Sequence, residues 1–170
     1  MNIVLTGFMA SGKTEISKAI ADISKYTLVD TDDIIVNKMN MTVNEIFEKY
    51  GEEYFRKVER EAVLEAAAMD DAVIATGGGV VLDAKNIDAL RKTGIIFNLS
   101  PSFSVIKERI EEARKTRPLM ANESVQKIEQ RFNDRKKFYD NCDCKIKVIS
   151  GRAPKSYALE ILKTAEEKSN

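Results

Sequence analysis

The 170-residue chain has no histidine and only two cysteines, and those two shortages already narrow its chemistry. Without an imidazole the commonest general base is missing, so proton transfer must fall to Asp, Glu or Lys. Cys142 and Cys144 stand one residue apart with no histidine to complete a Cys/His set. No zinc site is expected, and two free thiols in a reducing compartment are. Charge imbalance is lacking too: 27 basic residues meet 27 acidic ones. No net field exists to hold nucleic acid or a membrane surface, so any anion site must be built locally. No apolar run approaches the ~20 residues of a membrane span, and the N-terminus carries neither a secretory nor a transit pattern. A cytoplasmic protein is expected.

What is present suits one domain over residues 1–170, 44% hydrophobic and 32% charged. Apolar runs alternate with helical periods from end to end, the signature of repeated strand-helix units and an α/β fold with a parallel sheet. Ile3-Val4-Leu5 reads as a first buried strand, with Ile16, Ala19, Ile20 and Ile23 at helical spacing behind it. A second strand, Tyr26 to Val29, runs into Asp30-Thr31-Asp32. Thr42 and Glu45 form a capping box, and Gly51 stops the helix they open; Phe55, Val58, Ala62 and Ala66 mark the next one. Ala72 to Ala75 is a third strand ending on Thr76-Gly77-Gly78-Gly79, where bare backbone implies that something approaches closely. Ile87 and Leu90 mark a helix, Ile95 to Leu99 a fourth strand, and Val105, Ile106 and Ile110 the helix behind it. From Ile110 to Val125 the chain turns polar and reads as a mobile surface segment. Lys145-Ile146-Lys147-Val148-Ile149 alternates strictly, which places a fifth strand at the sheet edge, and Tyr157, Ile161, Leu162 and Ala165 give a closing helix.

Gly7-Phe8-Met9-Ala10-Ser11-Gly12-Lys13-Thr14 fits G-x-x-x-x-G-K-[ST] directly between the first strand and the first helix. In that context the loop backbone converges N–H groups on phosphate oxygens and the helix N-terminus adds partial positive charge. Lys13 would reach the β- and γ-phosphates of a nucleotide, and the Thr14 hydroxyl would coordinate Mg²⁺. Asp30 and Asp32 follow the second strand at the carboxyl end of the sheet, where ligands bind in open parallel sheets. On an extended segment both would project to one side, one toward hydrated Mg²⁺ and one toward a substrate hydroxyl; the alternative makes Asp32 a helix N-cap. Arg56 and Glu59 share a helix face, an arrangement equally typical of a solvated ion pair. Arg135 shares a stripe with Ile128, Phe132 and Tyr139, so a guanidinium stands where the pattern calls for an apolar residue. It faces an anion or a cleft, or it snorkels to water. Arg117 precedes Pro118 in the polar segment and is either an ordinary loop arginine or one carried over a transferring phosphate.

Taken together, Gly7 to Thr14, Asp30-Thr31-Asp32, Gly51-Glu52-x-x-Phe55-Arg56-x-x-Glu59, Gly77-Gly78-Gly79, Arg117-Pro118-Leu119 and Arg135-x-x-x-Tyr139 resemble the shikimate kinase family in order and spacing over nearly the whole chain. The resemblance implies a three-layer P-loop fold like that of nucleoside monophosphate kinases, with a five-stranded parallel sheet in the order 2-3-1-4-5. It implies a mobile lid at about 111–123, a substrate-binding helical region at about 33–61, and a monomer. The implied activity is transfer of the ATP γ-phosphate to the 3-hydroxyl of shikimate, with Mg²⁺ as cofactor, in aromatic amino-acid biosynthesis. By the same resemblance, Asp32, Lys13 and Arg117 are catalytic. ATP is held by Gly7, Ala10, Ser11, Gly12, Lys13, Thr14, Arg109, Arg117 and Pro154, with Arg109 and Pro154 sandwiching adenine. Shikimate is held by Asp32, Arg56, Gly77, Gly78, Gly79 and Arg135; Glu59 orients Arg56, and Thr14 and Asp30 serve the metal. Ala10 stands where the family often has glycine, at a free position of the motif where the change should matter little. Val36 and Asn40 replace a common glutamate and glycine, Asn40 at a helix end where a left-handed backbone suits asparagine. Gluconate and nucleoside monophosphate kinases share the expected fold without this arginine arrangement. A GTPase-like switch is unsupported, since Asn37-Lys38-Met39-Asn40 is not Asn-Lys-x-Asp.

Overall fold

The computed structural model describes residues 1–116 and 123–169. Strand β1 (Asn2–Gly7) sits at the centre of a five-stranded sheet with β3 (Ala72–Ala75) on one side and β4 (Gly94–Pro101) on the other. β2 (Thr27–Asp30) pairs outside β3 and β5 (Cys144–Val148) outside β4, every pair parallel, so the order is β2-β3-β1-β4-β5. The three inner strands read as near-continuous apolar runs because helices cover both faces of a parallel sheet. β1 is buried at all six positions. At the edge, Ile146 and Val148 of β5 are buried while Lys145 and Lys147 are exposed, which follows from the alternating pleat.

On one face, Ile3, Leu5, Val73, Phe97 and Leu99 pack against helices α1 (Lys13–Ile23) and α7 (Pro154–Ser169) through Ile16, Ile20, Tyr157 and Ile161. On the other, Val4, Ile74 and Ile96 meet α3 (Val43–Ala67), α4 (Ala84–Arg91), α5 (Phe103–Thr116) and α6 (Val125–Tyr139). Each fully buried aliphatic chain contributes about 1.5–3 kcal/mol over leaving it exposed, and these two layers hold the carboxyl ends of the strands in register. A smaller cluster, Ile35, Ile46, Phe55, Val58 and Ala62, joins α2 (Thr31–Met39) to α3 beside that end of the sheet. The capping box forms, with Glu45 N–H donating to Thr42 Oγ1 at 3.2 Å and Thr42 N–H to Glu45 Oε2 at 2.7 Å. Gly51, at φ 82°, breaks the helical backbone inside α3, and Asn40 closes α2 in the left-handed region at φ 51°.

Three expectations need correction. Asp32 lies in the first turn of α2, not on an extended segment. Asp30 ends β2 and is itself the N-cap, its carboxylate accepting the Asp32 N–H at 2.8 Å. The polar stretch after Ile110 remains helical to Thr116, because Lys107–Glu111 and Glu112–Lys115 pairs lace its solvated face while Ile106 and Ile110 anchor the other. Ala10 is not neutral in its loop: its φ of 59° is left-handed, a region that costs a side-chain-bearing residue about 1–2 kcal/mol. Arg117, Pro118 and Leu119 lie outside the described residues, as does the 117–122 stretch of the expected lid.

Candidate active site

The Gly7–Thr14 loop joins the central strand to α1 at the carboxyl end of the sheet. Gly12 caps α1 at φ 101° with no side-chain hydrogen bond to the first turn, so the helix presents its first N–H groups to whatever lies in front of the loop. Lys13 Nζ curls back onto this loop, donating to the carbonyls of Gly7 at 2.6 Å and Phe8 at 3.0 Å and to Ser11 Oγ at 3.4 Å. Burial pushes its pKa down to about 8, with Asp32, Asp30 and Glu15 opposing.

Facing the loop is a cleft of about 400 Å³. Lys13, Thr14, Asp30 and Asp32 line one part of it; Arg56, Glu59, the Gly77-Gly78-Gly79 run and Arg135 line another. Each is delivered by a different element. Asp30 and Asp32 come from the β2–α2 junction, Arg56 and Glu59 from the second half of α3, the glycines from the end of β3, and Arg135 from the stripe of α6 that turns toward the sheet. Glu59 is 2% exposed and accepts from Arg56 Nη1 at 2.8 Å, while Glu52 lies 3.4 Å from Arg56 Nη2. Two glycines are required by close approach. A Cβ on Gly77 would come within 2.6 Å of Asp32 Oδ1, and one on Gly79 would overlap the Arg56 guanidinium. The loop is pinned from both sides, by Gly77 N–H donating to Thr31 Oγ1 at 2.9 Å and by the Tyr139 hydroxyl donating to Gly78 O at 2.6 Å. Burial raises the proton affinity of Asp30, Asp32 and Glu59; at Asp32 the neighbouring Asp30 charge adds to the rise while Lys13 and Arg56 oppose it. A carboxylate that holds a proton more readily than usual, beside an ammonium and two guanidiniums, is suited to work on an anionic hydroxylated ligand.

A second cavity, also about 400 Å³, opens beyond the loop between Arg109 of α5 and Pro154 at the start of α7, with Ala10 and Gly12 at its edge. Arg109 Nη1 donates to Ala10 O at 2.9 Å, which ties α5 to the loop.

The sequence profile of the shikimate kinase family matches residues 9–166. The chain belongs to the shikimate kinase family. The shikimate kinase of Thermoanaerobacter pseudethanolicus is 45% identical over 147 residues, covering 86% of each chain. That of Caldanaerobacter subterraneus subsp. tengcongensis is 44% identical over 163 residues, covering 95% of this chain and 94% of its own. The shikimate kinase of Acinetobacter baumannii, solved in complex with shikimate, superposes with a TM-score of 0.87 at 28% identity, over 98% of this chain and 93% of that one.

Against the family expectations, the structure gathers Lys13, Thr14, Asp30, Asp32, Arg56, Glu59, Gly77, Gly78, Gly79 and Arg135 around one cleft. Ala10, Gly12, Arg109 and Pro154 line the other cavity. Gly7 and the fully buried Ser11 belong to the loop itself and are hydrogen-bond partners of Lys13. Among the lining residues not named as site residues from the sequence, four stand out. Phe47 and Phe55 stack at 4.3 Å between centroids and wall the cleft beside Arg56, where the sequence reads them as ordinary core. Arg152 borders the second cavity with its guanidinium 4.1 Å from the Tyr157 ring centroid. Arg131 lines the main cleft one helical turn before Arg135; that i, i+4 spacing was the available signal. No cluster of three or more acidic, cysteine or histidine ligands occurs among the described residues, and no helix there is long and apolar enough to cross a membrane.

Proposed function

We propose that this chain transfers the γ-phosphoryl group of ATP to the 3-hydroxyl of shikimate, giving shikimate 3-phosphate and ADP for aromatic amino-acid biosynthesis. The observation that carries the reading is that the phosphate loop and a guanidinium-lined pocket open onto the same cleft. Triphosphate would lie along the loop and the N-terminus of α1, with the Lys13 ammonium exchanging its carbonyl partners for phosphate oxygens and the adenine between Arg109 and Pro154. The carboxylate of shikimate pairs with Arg56 and Arg135, whose planar forks fix the ring by bidentate contacts. Glu59 holds the Arg56 guanidinium in register, and the Gly79 backbone lets the ring approach. This register brings the 3-hydroxyl to Asp32, whose raised proton affinity suits it to take the hydroxyl proton as the O–P bond forms. Arg117, by family resemblance, adds positive charge where the transferred group gains negative charge.

Thr14 and Asp30 fit a Mg²⁺ ion: two oxygen donors beside a phosphate site match an ion that keeps several waters and takes the rest of its shell from substrate. Bound there, it would screen phosphate charge during transfer. One chain supplies every described group named, so a monomer suffices, and the free thiols Cys142 and Cys144 agree with a cytoplasmic enzyme.

The test is a coupled ADP-release assay over a panel of acceptors: shikimate, gluconate and nucleoside monophosphates. Shikimate alone should give rapid turnover. Faster turnover on any other member would overturn the assignment.

A further inference from the structure

Resting on that reading of the acid pocket, we infer that Arg131 is a third guanidinium of the site, held by Glu123, and that it positions the substrate carboxylate together with Arg135. Both arginines project from α6 into the main cleft, four residues apart and so one turn above each other. Their surroundings differ from those of Arg56. That guanidinium is already bridged by Glu59 and Glu52, whereas Arg135 forms no ion pair among the described residues. Among the described residues Arg131 is paired with Glu123, the residue just before the Ser124 N-cap of α6. Of the three guanidiniums lining the cleft, the one without a carboxylate partner among the described residues is therefore Arg135, on α6 beside Arg131.

Two like charges one turn apart repel, and here the repulsion is felt: burial first, then the Arg135 charge, lowers the proton affinity of Arg131. An anion placed between them relieves both effects, which is a reason to keep two cations in such proximity. Arg131 is 34% exposed and lines the main cleft, while its partner Glu123, 29% exposed, borders a neighbouring cavity beside Arg109 and Arg114, so the pair is not sealed in the core. Glu123 also accepts, through its carbonyl, from Arg114 near the end of α5. The main chain of Glu123 is thereby fixed from a second helix, and its carboxylate holds the Arg131 fork where a ligand carboxylate can reach it.

The experiment compares shikimate with its methyl ester, which keeps the ring and hydroxyls and loses the charge, at saturating MgATP. Arg131→Ala should raise the shikimate KM about tenfold with kcat within about twofold, the pattern of lost binding that is equal in ground and transition states. The KM for the ester should be unchanged. Arg131→Lys should recover part of the shikimate effect, since a point charge replaces a fork, and Glu123→Gln should raise the shikimate KM about threefold. If Arg131 only clasps the start of α6, Arg131→Ala will shift both KM values equally or lower the melting temperature alone, and the inference fails. Should the alanine variant not fold, the shikimate-to-ester KM ratio of Arg131→Lys decides, an unchanged ratio being contrary. Wild-type turnover on shikimate separates the two levels: its absence defeats the function reading and this inference with it, whereas its presence with an unaltered ratio defeats the inference alone.

Discussion

Replacing Glu59 by glutamine should leave the protein at least as stable as the parent at neutral pH while loosening its grip on shikimate. The Glu59 side chain is 3% exposed and Oε1 lies 2.8 Å from Arg56 Nη1. At that distance two unit charges attract by ~6 kcal/mol at an effective dielectric of ~20. Taking a carboxylate out of water costs several kcal/mol in turn. The proton affinity of Glu59 shows which effect wins: it is raised above its ordinary 4.5, burial being the largest cause and the Arg56 hydrogen bond and charge opposing it. Folding therefore favours the protonated form. The stability this contributes is complete below about pH 4.5 and is lost as pH rises through the raised folded value. Glutamine keeps an acceptor for Arg56 and has no proton to lose. Urea unfolding should find Glu59→Gln level with the parent near pH 4 and ahead by up to ~1 kcal/mol near pH 7. Glu59→Ala, which strands the Arg56 charge and leaves a void, should lose about 2–3 kcal/mol. In both variants the shikimate KM should rise, by about threefold or more, because Arg56 loses the charge that orients it. A loss of ~3 kcal/mol in Glu59→Gln at neutral pH would show that attraction outweighs desolvation. A difference that does not change with pH would show that the Glu59 proton affinity is unperturbed.

Because Lys13 carries a pKa of about 8, its charge is present below that pH and lost above it. kcat/KM for ATP should then fall about tenfold per pH unit on the alkaline side, and a profile still flat at about pH 9.5 would contradict the assignment. Ala10→Gly removes a left-handed strain of about 1–2 kcal/mol and gives back about 0.4–1 kcal/mol through the freer unfolded chain. A calorimetric melting temperature higher by up to about 6 °C is expected, and one that is lower would show that the loop carries no strain.

The fold was legible because local signals agreed with each other. The alternation of lysine with Ile146 and Val148 told edge from centre, Thr42 with Glu45 told where α3 begins, and Gly51 told where its backbone breaks. The site was legible where glycine or a motif marks backbone approach, at Gly12, Gly77 and Gly79. It was less so where geometry depends on a helix start. The sequence allowed Asp32 to cap α2, and only the backbone at Asp30, which leaves β2 extended and bonds two residues on, settles that Asp30 does. The helical continuation of α5 was hidden because ion pairs, not apolar periodicity, support its outer face. Phe47 and Arg131 were missed for opposite reasons, the one because a pocket wall and a core stripe share a period, the other because a charged residue at the edge of a stripe resembles a solvated one.

The central claim is that phosphate donor and acid acceptor meet in one cleft. The most direct measurement is to incubate the protein with MgATP and shikimate and identify the products by phosphorus NMR and mass spectrometry. One equivalent each of ADP and shikimate 3-phosphate per ATP consumed is the predicted result. ATP consumed to ADP and inorganic phosphate with shikimate unaltered, or ATP left intact, would contradict it.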